Sequence, residues 1–281
     1  MSIRTVSKRA LLAAVGALTL TVAGAPANAA EPLRICASTK EAPYSDAEAG
    51  GFENRIAVKL AEAMGREPRF VFSDKFAIYI VRDLLETGEC DVVLGVDAGD
   101  ARLATSMPIY RTGYVLVSRE DKNFTSGDWE DIRDTRFSRF AVRFYTPAET
   151  ILKYTGKWED NAAYLYGLIN FKSNRNTYNQ VEASKLVTEV ASGEADLAIA
   201  FAPDVARYVK SSNVPVRMTL IEKPITRSDG KIIPLQYDQA IGVRKDDTAL
   251  LEAINAALPK IRGDIETILA DEGIPLLPPS S

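Results

Sequence analysis

Short apolar runs alternate with amphipathic segments along the chain, and this alternation restricts the fold more than any other feature of the sequence. Residues 33–37 (LRICA) form an apolar strand pattern. Ile56, Val58, Leu60, Ala61 and Met64 then recur at helical spacing behind Gly51-Phe52-Glu53-Asn54 and stop at Gly65. Residues 69–72 read as a second strand, 78–85 as a second helix ending at Gly88, and 91–95 and 114–118 as a third and a fourth strand. Strand–helix–strand order with short connections predicts a mostly parallel sheet with helices on both faces. A polar, Asp-rich stretch over 120–138 closes this unit. A second unit follows, with strands at 140–144, 195–200 and 239–244 and helices at 147–154, 187–191 and 248–261; Asp204 is expected to cap a further helix running through Tyr208. The polar segment 170–180 reads as a loop or insertion, and the Pro-rich tail from Pro275 as irregular. Two α/β units without a flexible linker predict two lobes joined by strands.

The N-terminus predicts a cleavable export signal. Arg4, Lys8 and Arg9 precede an uncharged apolar run over 10–24, and Ala27-Asn28-Ala29 supplies the small-x-small pattern, so cleavage is expected after Ala29. A membrane span needs about 20 apolar residues, more than this run offers, and no cysteine stands at the cleavage point for a lipid anchor. Loss of residues 1–29 lowers Lys and Arg from 34 to 31 against 38 Asp and Glu. An acidic chain without a basic stripe is a poor ligand for nucleic acid or anionic membranes. After cleavage neither nucleic-acid binding nor membrane insertion is expected.

The chain contains no histidine. That removes the usual general acid–base near neutral pH and the commonest transition-metal ligand. Neither a metal nor an organic cofactor is expected; Asp97 and Asp100 lie in a DAGDAR segment that lacks the spacing of a calcium loop. Carboxylate chemistry remains open and would require two Asp or Glu facing each other in a cleft with raised pKa values. Binding, not catalysis, is the expected activity. Cys36 and Cys90 each stand at an apolar strand in an oxidising compartment, where a disulfide forms readily. Two separately buried thiols are the alternative; we favour the bridge.

Six motifs in order resemble the type II periplasmic solute-binding proteins. They are Ala42-Pro43-Tyr44, Gly51-Phe52-Glu53, Gly88-Glu89-Cys90-Asp91, Arg102, Pro108-Ile109-Tyr110, and the late Ile241-Gly242-Val243-Arg244. The resemblance implies an α/β, two-lobed fold with mixed sheets, helices on both faces and a ligand cleft between the lobes. Lobe one would comprise residues 30–117 plus 246–281, and lobe two residues 118–245. Tyr44, Tyr110, Arg102, Tyr145, Thr146 and Phe201 are the cleft-lining candidates, with Arg102 in the place of the arginine that holds a ligand carboxylate in amino-acid binders. Packing inside lobe one is the alternative for Tyr44 and Tyr110. The acidic partner for a ligand ammonium falls at Phe201, and the usual Gly-Thr step appears as Tyr145-Thr146, so bulk is expected on both walls. An ammonium buried against Phe201 would lack its counter-charge, which disfavours ordinary amino-acid transport.

A narrower resemblance rests on Ala163-Tyr164-Leu165-Tyr166, Asn170-Phe171-Lys172-Ser173 and the run Phe201-Ala202-Pro203-Asp204-Val205-Ala206-Arg207-Tyr208. These are similar to the solute-binding-like accessory proteins of methanol oxidation systems, encoded with periplasmic, quinone-dependent (PQQ) methanol dehydrogenase. The resemblance implies help in assembly, maturation or activation of that enzyme, with methanol dehydrogenase or its maturation proteins as partners. The alternative is a substrate-binding protein of an ABC importer for a non-zwitterionic small molecule.

Overall fold

The computed structural model describes residues 1–2, 30–169, 180–278 and 280. Nearly all of the expected export signal and the segment 170–179 lie outside the described residues.

The first unit is built on β1 (Leu33–Ser38), followed by a small hairpin of β2 (Lys40–Glu41) and β3 (Ser45–Asp46) and then helix α1 (Phe52–Ala63). Gly51 opens α1 because the chain there passes against the Tyr44 carbonyl; a Cβ would stand 2.0 Å from that oxygen. Asn54 completes the start by accepting the Gly51 amide at 3.2 Å. Phe52, Ile56 and Leu60 form the apolar stripe of α1 and are fully buried, each side chain contributing about 2 kcal/mol of burial free energy. Strand β4 (Pro68–Ser73) pairs parallel with β1 from Leu33↔Pro68 to Ser38↔Ser73. Helix α2 (Ala77–Ile80) widens into a π-turn at Val81–Leu85 before β5 (Val92–Asp97), which lies parallel on the other side of β1. The short β6 (Ala104–Thr105) leads into β7 (Tyr110–Arg119).

The second unit holds β8 (Phe140–Val142), α3 (Pro147–Thr155), α4 (Trp158–Leu168), α5 (Ala183–Ser192), β9 (Leu197–Phe201), α6 (Ala202–Lys210) and β10 (Val216–Leu220). The hairpin of β11 (Ile225–Thr226) and β12 (Ile232–Ile233) precedes β13 (Gln236–Val243), after which α7 (Thr248–Ala257) and α8 (Arg262–Glu272) return to the first unit. The main sheet runs β4-β1-β5-β13-β7-β9-β8, with β10 on β7 and β6 on β13. It is mixed: β8 and β9 are parallel, whereas β13 is antiparallel to both β5 and β7. The early strands do form the expected parallel ladder; the antiparallel pairs come from the two strands that cross between units.

Those crossings divide the core. Tyr110 packs with Leu33, Phe52 and Ile241, while Tyr114, four residues further along β7, packs with Phe140, Leu197 and Ile199. On the way back Tyr237 lies against the second core and Ala240 in a cluster with Cys36 and Val93. Strands β7 and β13 thus each carry residues of more than one core cluster. Cys36 and Cys90 are bridged with Cα atoms 5.4 Å apart, tying β1 to the turn before β5.

Candidate functional site

A cavity of about 430 Å³ opens where the two lobes and the two crossing strands meet. Lobe one supplies Glu41, Tyr44, Glu53, Gly95 and Asp97; lobe two supplies Arg143, Thr146, Phe201 and Asp204; the crossing strands add Tyr114, Tyr237 and Gln239. The site sits at the carboxyl end of β1 and β5, where open α/β sheets place their ligands.

One guanidinium spans the cleft. Arg143, just past β8, donates from Nη1 to Asp204 Oδ1 at 3.0 Å and stands 3.6 Å from Glu41 Oε2 across the gap. Glu41 also accepts the Ala77 amide at 2.9 Å. Burial raises its pKa, against the opposing pull of Arg143. Thr146, at the start of α3, returns its hydroxyl to the Arg143 carbonyl at 2.8 Å and so fixes the backbone from which the arginine reaches out. With both of its acidic neighbours engaged, Arg143 is already neutralised from two sides.

Glu53 has a different environment. Its Oε1 is buried and has no hydrogen-bond partner among the described residues. It fits into the notch left by Gly95, where φ is +68° and a Cβ would stand 1.9 Å from that oxygen. Burial lifts the Glu53 carboxyl to about 8, with the charge of Glu41 adding to the rise. The protonated form of Glu53 therefore predominates at pH 7. Asp97 ends β5 opposite Gln239, whose amide nitrogen donates to Asp97 Oδ1 at 2.8 Å.

The aromatic wall comes from three elements. The Tyr114 and Phe201 ring centroids are 5.6 Å apart, Phe201 and Tyr237 5.9 Å at right angles, and Tyr114 and Tyr237 6.3 Å. Burial, with a smaller push from the Asp97 charge, raises the Tyr237 phenol to about 12.

Of the sequence candidates, Tyr44, Thr146 and Phe201 line this cavity, and three do not. Arg102 is held by Asp100 two residues away, in an exposed loop. Tyr145 is 81% exposed at φ 59°, so it contributes no bulk to the wall facing Phe201. Tyr110 is buried edge-on to Phe52 in the first core. Asp204 does not cap α6, whose first residues carry no side-chain cap; its carboxylate goes to Arg143 instead. The residues missed were Glu41, Glu53, Asp97 as a cleft group, Tyr114, Arg143 and Tyr237. A charged residue inside the otherwise apolar FAVRF strand was the available signal for Arg143. Glu41 and Glu53 are two cleft carboxyls with raised pKa values, the arrangement that acid–base chemistry would need. Glu41 is committed to Arg143 and Ala77, and no hydrogen bond joins the two among the described residues.

Among the described residues no group of three or more His, Cys, Asp or Glu is placed to hold a metal ion, and no helix is long and apolar enough to cross a membrane.

Comparison with known proteins agrees with this architecture. Protein MoxJ of Paracoccus denitrificans is 53% identical over 265 residues, covering 94% of this chain and 96% of that protein. Protein MoxJ of Methylorubrum extorquens is 49% identical over 259 residues, covering 91% and 86%. The crystal structure of MxaJ from Methlophaga aminisulfidivorans MPT superposes with a TM-score of 0.82 at 45% identity, covering 87% of this chain and all of that one. Residues 33–270, which include both lobes and every group of the cleft, match one family along their whole length, and on that ground the chain belongs to the bacterial extracellular solute-binding proteins, family 3.

Proposed function

We propose that this chain is a periplasmic, solute-binding-like accessory protein of a methanol oxidation system, which assists assembly or activation of PQQ-dependent methanol dehydrogenase by binding and not by catalysis. The observation that carries the reading is identity of about half with two MoxJ proteins over nearly the full length of each. The cleft supports it from a second direction. An amino-acid receptor holds the ligand carboxylate with an available arginine, and here Arg143 is occupied by Asp204 and Glu41 while Arg102 lies outside the cavity. Charge pairing at Arg143, not bulk at the exposed Tyr145, sets this cleft apart from an amino-acid site.

The test is affinity purification of the tagged protein from the periplasm of methanol-grown cells. Methanol dehydrogenase subunits or their maturation proteins are expected to co-purify. Failure to recover any of them at every stage of enzyme maturation would overturn the reading.

A further inference from the structure

The walls of the cleft combine carboxylates with aromatic rings. Two of its carboxylates, Glu41 and Asp204, are used by Arg143. Two others are not: among the described residues Asp97 accepts the Gln239 amide, and Glu53 keeps a buried oxygen without a hydrogen-bond partner. Beside them Tyr114, Phe201 and Tyr237 form a corner of rings, with centroids 5.6 to 6.3 Å apart. Tyr237 and Gln239 stand two residues apart on the same face of β13, and the Gln239 amide holds Asp97 at 2.8 Å, which puts this carboxylate at the same end of the cavity as the rings; the Arg143–Asp204 pair also acts on Tyr114.

A ring face attracts a cation held within about 6 Å of its centroid, more strongly when water is excluded. A carboxylate next to such faces completes a cage for an alkylammonium head. A ligand carboxylate has no counterpart here, because the cleft arginine is shared between two acids, and a third acid would face net negative charge. We propose that the cleft binds a small alkylammonium cation that carries no carboxylate, with its charged head between the ring corner and the carboxyl groups of Asp97 and Glu53. The inference stands on the cavity alone and does not depend on the partner assigned above.

The site also predicts proton release. A cation beside Glu53 favours its ionised form, so binding below pH 8 is expected to expel a proton from that carboxyl. The groups facing it are the carboxylate of Glu41, the rings of Tyr44 and Tyr110, and the backbone of Gly95. Among the described residues none of these supplies a positive charge to ionise Glu53 in the empty cleft, and the cleft cation Arg143 is paired with Glu41 and Asp204. Affinity for the cation should therefore strengthen as pH rises to about 8 and then level off.

Titration calorimetry on the intact mature protein tests this with choline, tetramethylammonium and butylammonium as probes. Two controls accompany them: the neutral isostere of choline, in which carbon replaces nitrogen, and glycine betaine, which adds a carboxylate. At least one cation is expected to bind in the micromolar to low-millimolar range, and each control roughly tenfold or more weakly. Tyr237→Leu and Asp97→Asn should each weaken the cation roughly tenfold, and melting curves of the empty variants separate that loss from the packing Tyr237 gives to Tyr114 and Phe201. Repeating the titration in buffers of different ionisation heat should show proton uptake by the buffer, and Glu53→Gln should abolish it. The inference is overturned if no cation binds, if the carbon isostere binds as tightly as choline, or if betaine binds best.

Discussion

Replacing Glu53 by Gln offers a direct measure of what its burial costs the fold. A free Glu ionises near 4.5, whereas this one does so at about 8. A group whose folded pKa is raised contributes stability that is complete below the unfolded value and is lost as pH climbs toward the folded one. Between those limits the native protein keeps a proton that the unfolded chain has released. Native stability then falls by about 1.4 kcal/mol per pH unit from this group alone. Glutamine fills nearly the same volume over Gly95 and does not titrate. The difference in unfolding free energy, E53Q minus wild type, should be flat below about pH 4, rise to about pH 8 and then level off. Full burial would give roughly 5 kcal/mol over that range; Glu53 retains some exposed surface, so roughly 2 to 4 is expected. Any constant offset from the amide cancels, since only the pH dependence is read. Glu41 titrates upward as well but is present in both proteins. Urea denaturation of both at matched pH values supplies the numbers. Parallel stability curves from about pH 5 to pH 9 would refute the argument and show that water or a neighbouring group already satisfies the carboxylate.

The disulfide closes a segment with a sequence separation of 54, so Cys36→Ala with Cys90→Ala should lower stability by roughly 4 kcal/mol. Urea unfolding would show this, and dithiothreitol should move wild type toward the variant and leave the variant unchanged. Glu272 is buried and receives Arg55 at 2.5 Å and Arg207 at 2.6 Å. Glu272→Gln should cost roughly 2 to 3 kcal/mol, less than a fully buried pair because both arginines are about one-third exposed. A melting temperature within one degree of wild type would count against that pairing.

Much of the fold was legible because its strands are short, apolar and bounded by turns, as at β1, β5 and β9. What the pattern concealed was orientation. An antiparallel β13 between β5 and β7 arises from a chain that crosses lobes twice, and neither crossing leaves a local periodic signal. Helices α4 and α8 were missed for a related reason. Only Asn161, Leu165 and Leu168 of α4 are buried, and α8 turns a thin stripe of Ile265, Ile268 and Leu269 inward. Such narrow apolar faces are hard to tell from coil. In the site, Phe201 and Thr146 were found through family position. Arg143 was not, because its partners Asp204 and Glu41 lie 61 and about 100 residues away in sequence, and charge pairs that far apart in sequence become visible only in three dimensions. In the sequence Glu53 stands in a helix-opening motif; only Gly95, arriving from β5, makes its carboxyl unusual.

Helix α6 joins two places that a hinged receptor would keep independent. Its first turn holds Asp204 in the cleft, and its later turns put Arg207 on Glu272 and Lys210 on the Asp271 carbonyl of α8, with Ala206 inside the core of lobe one. It works as a lever with its far end clamped. Swinging lobe two away must either carry α8 along or withdraw Arg207 from Glu272. If withdrawal costs about 3 kcal/mol, the widened form is populated on the order of one molecule in a hundred. Such a protein spends nearly all its time with the lobes in one relation. It would present a partner with a constant shape whether or not the cleft is filled, and a ligand would act mainly by changing the charge inside that shape.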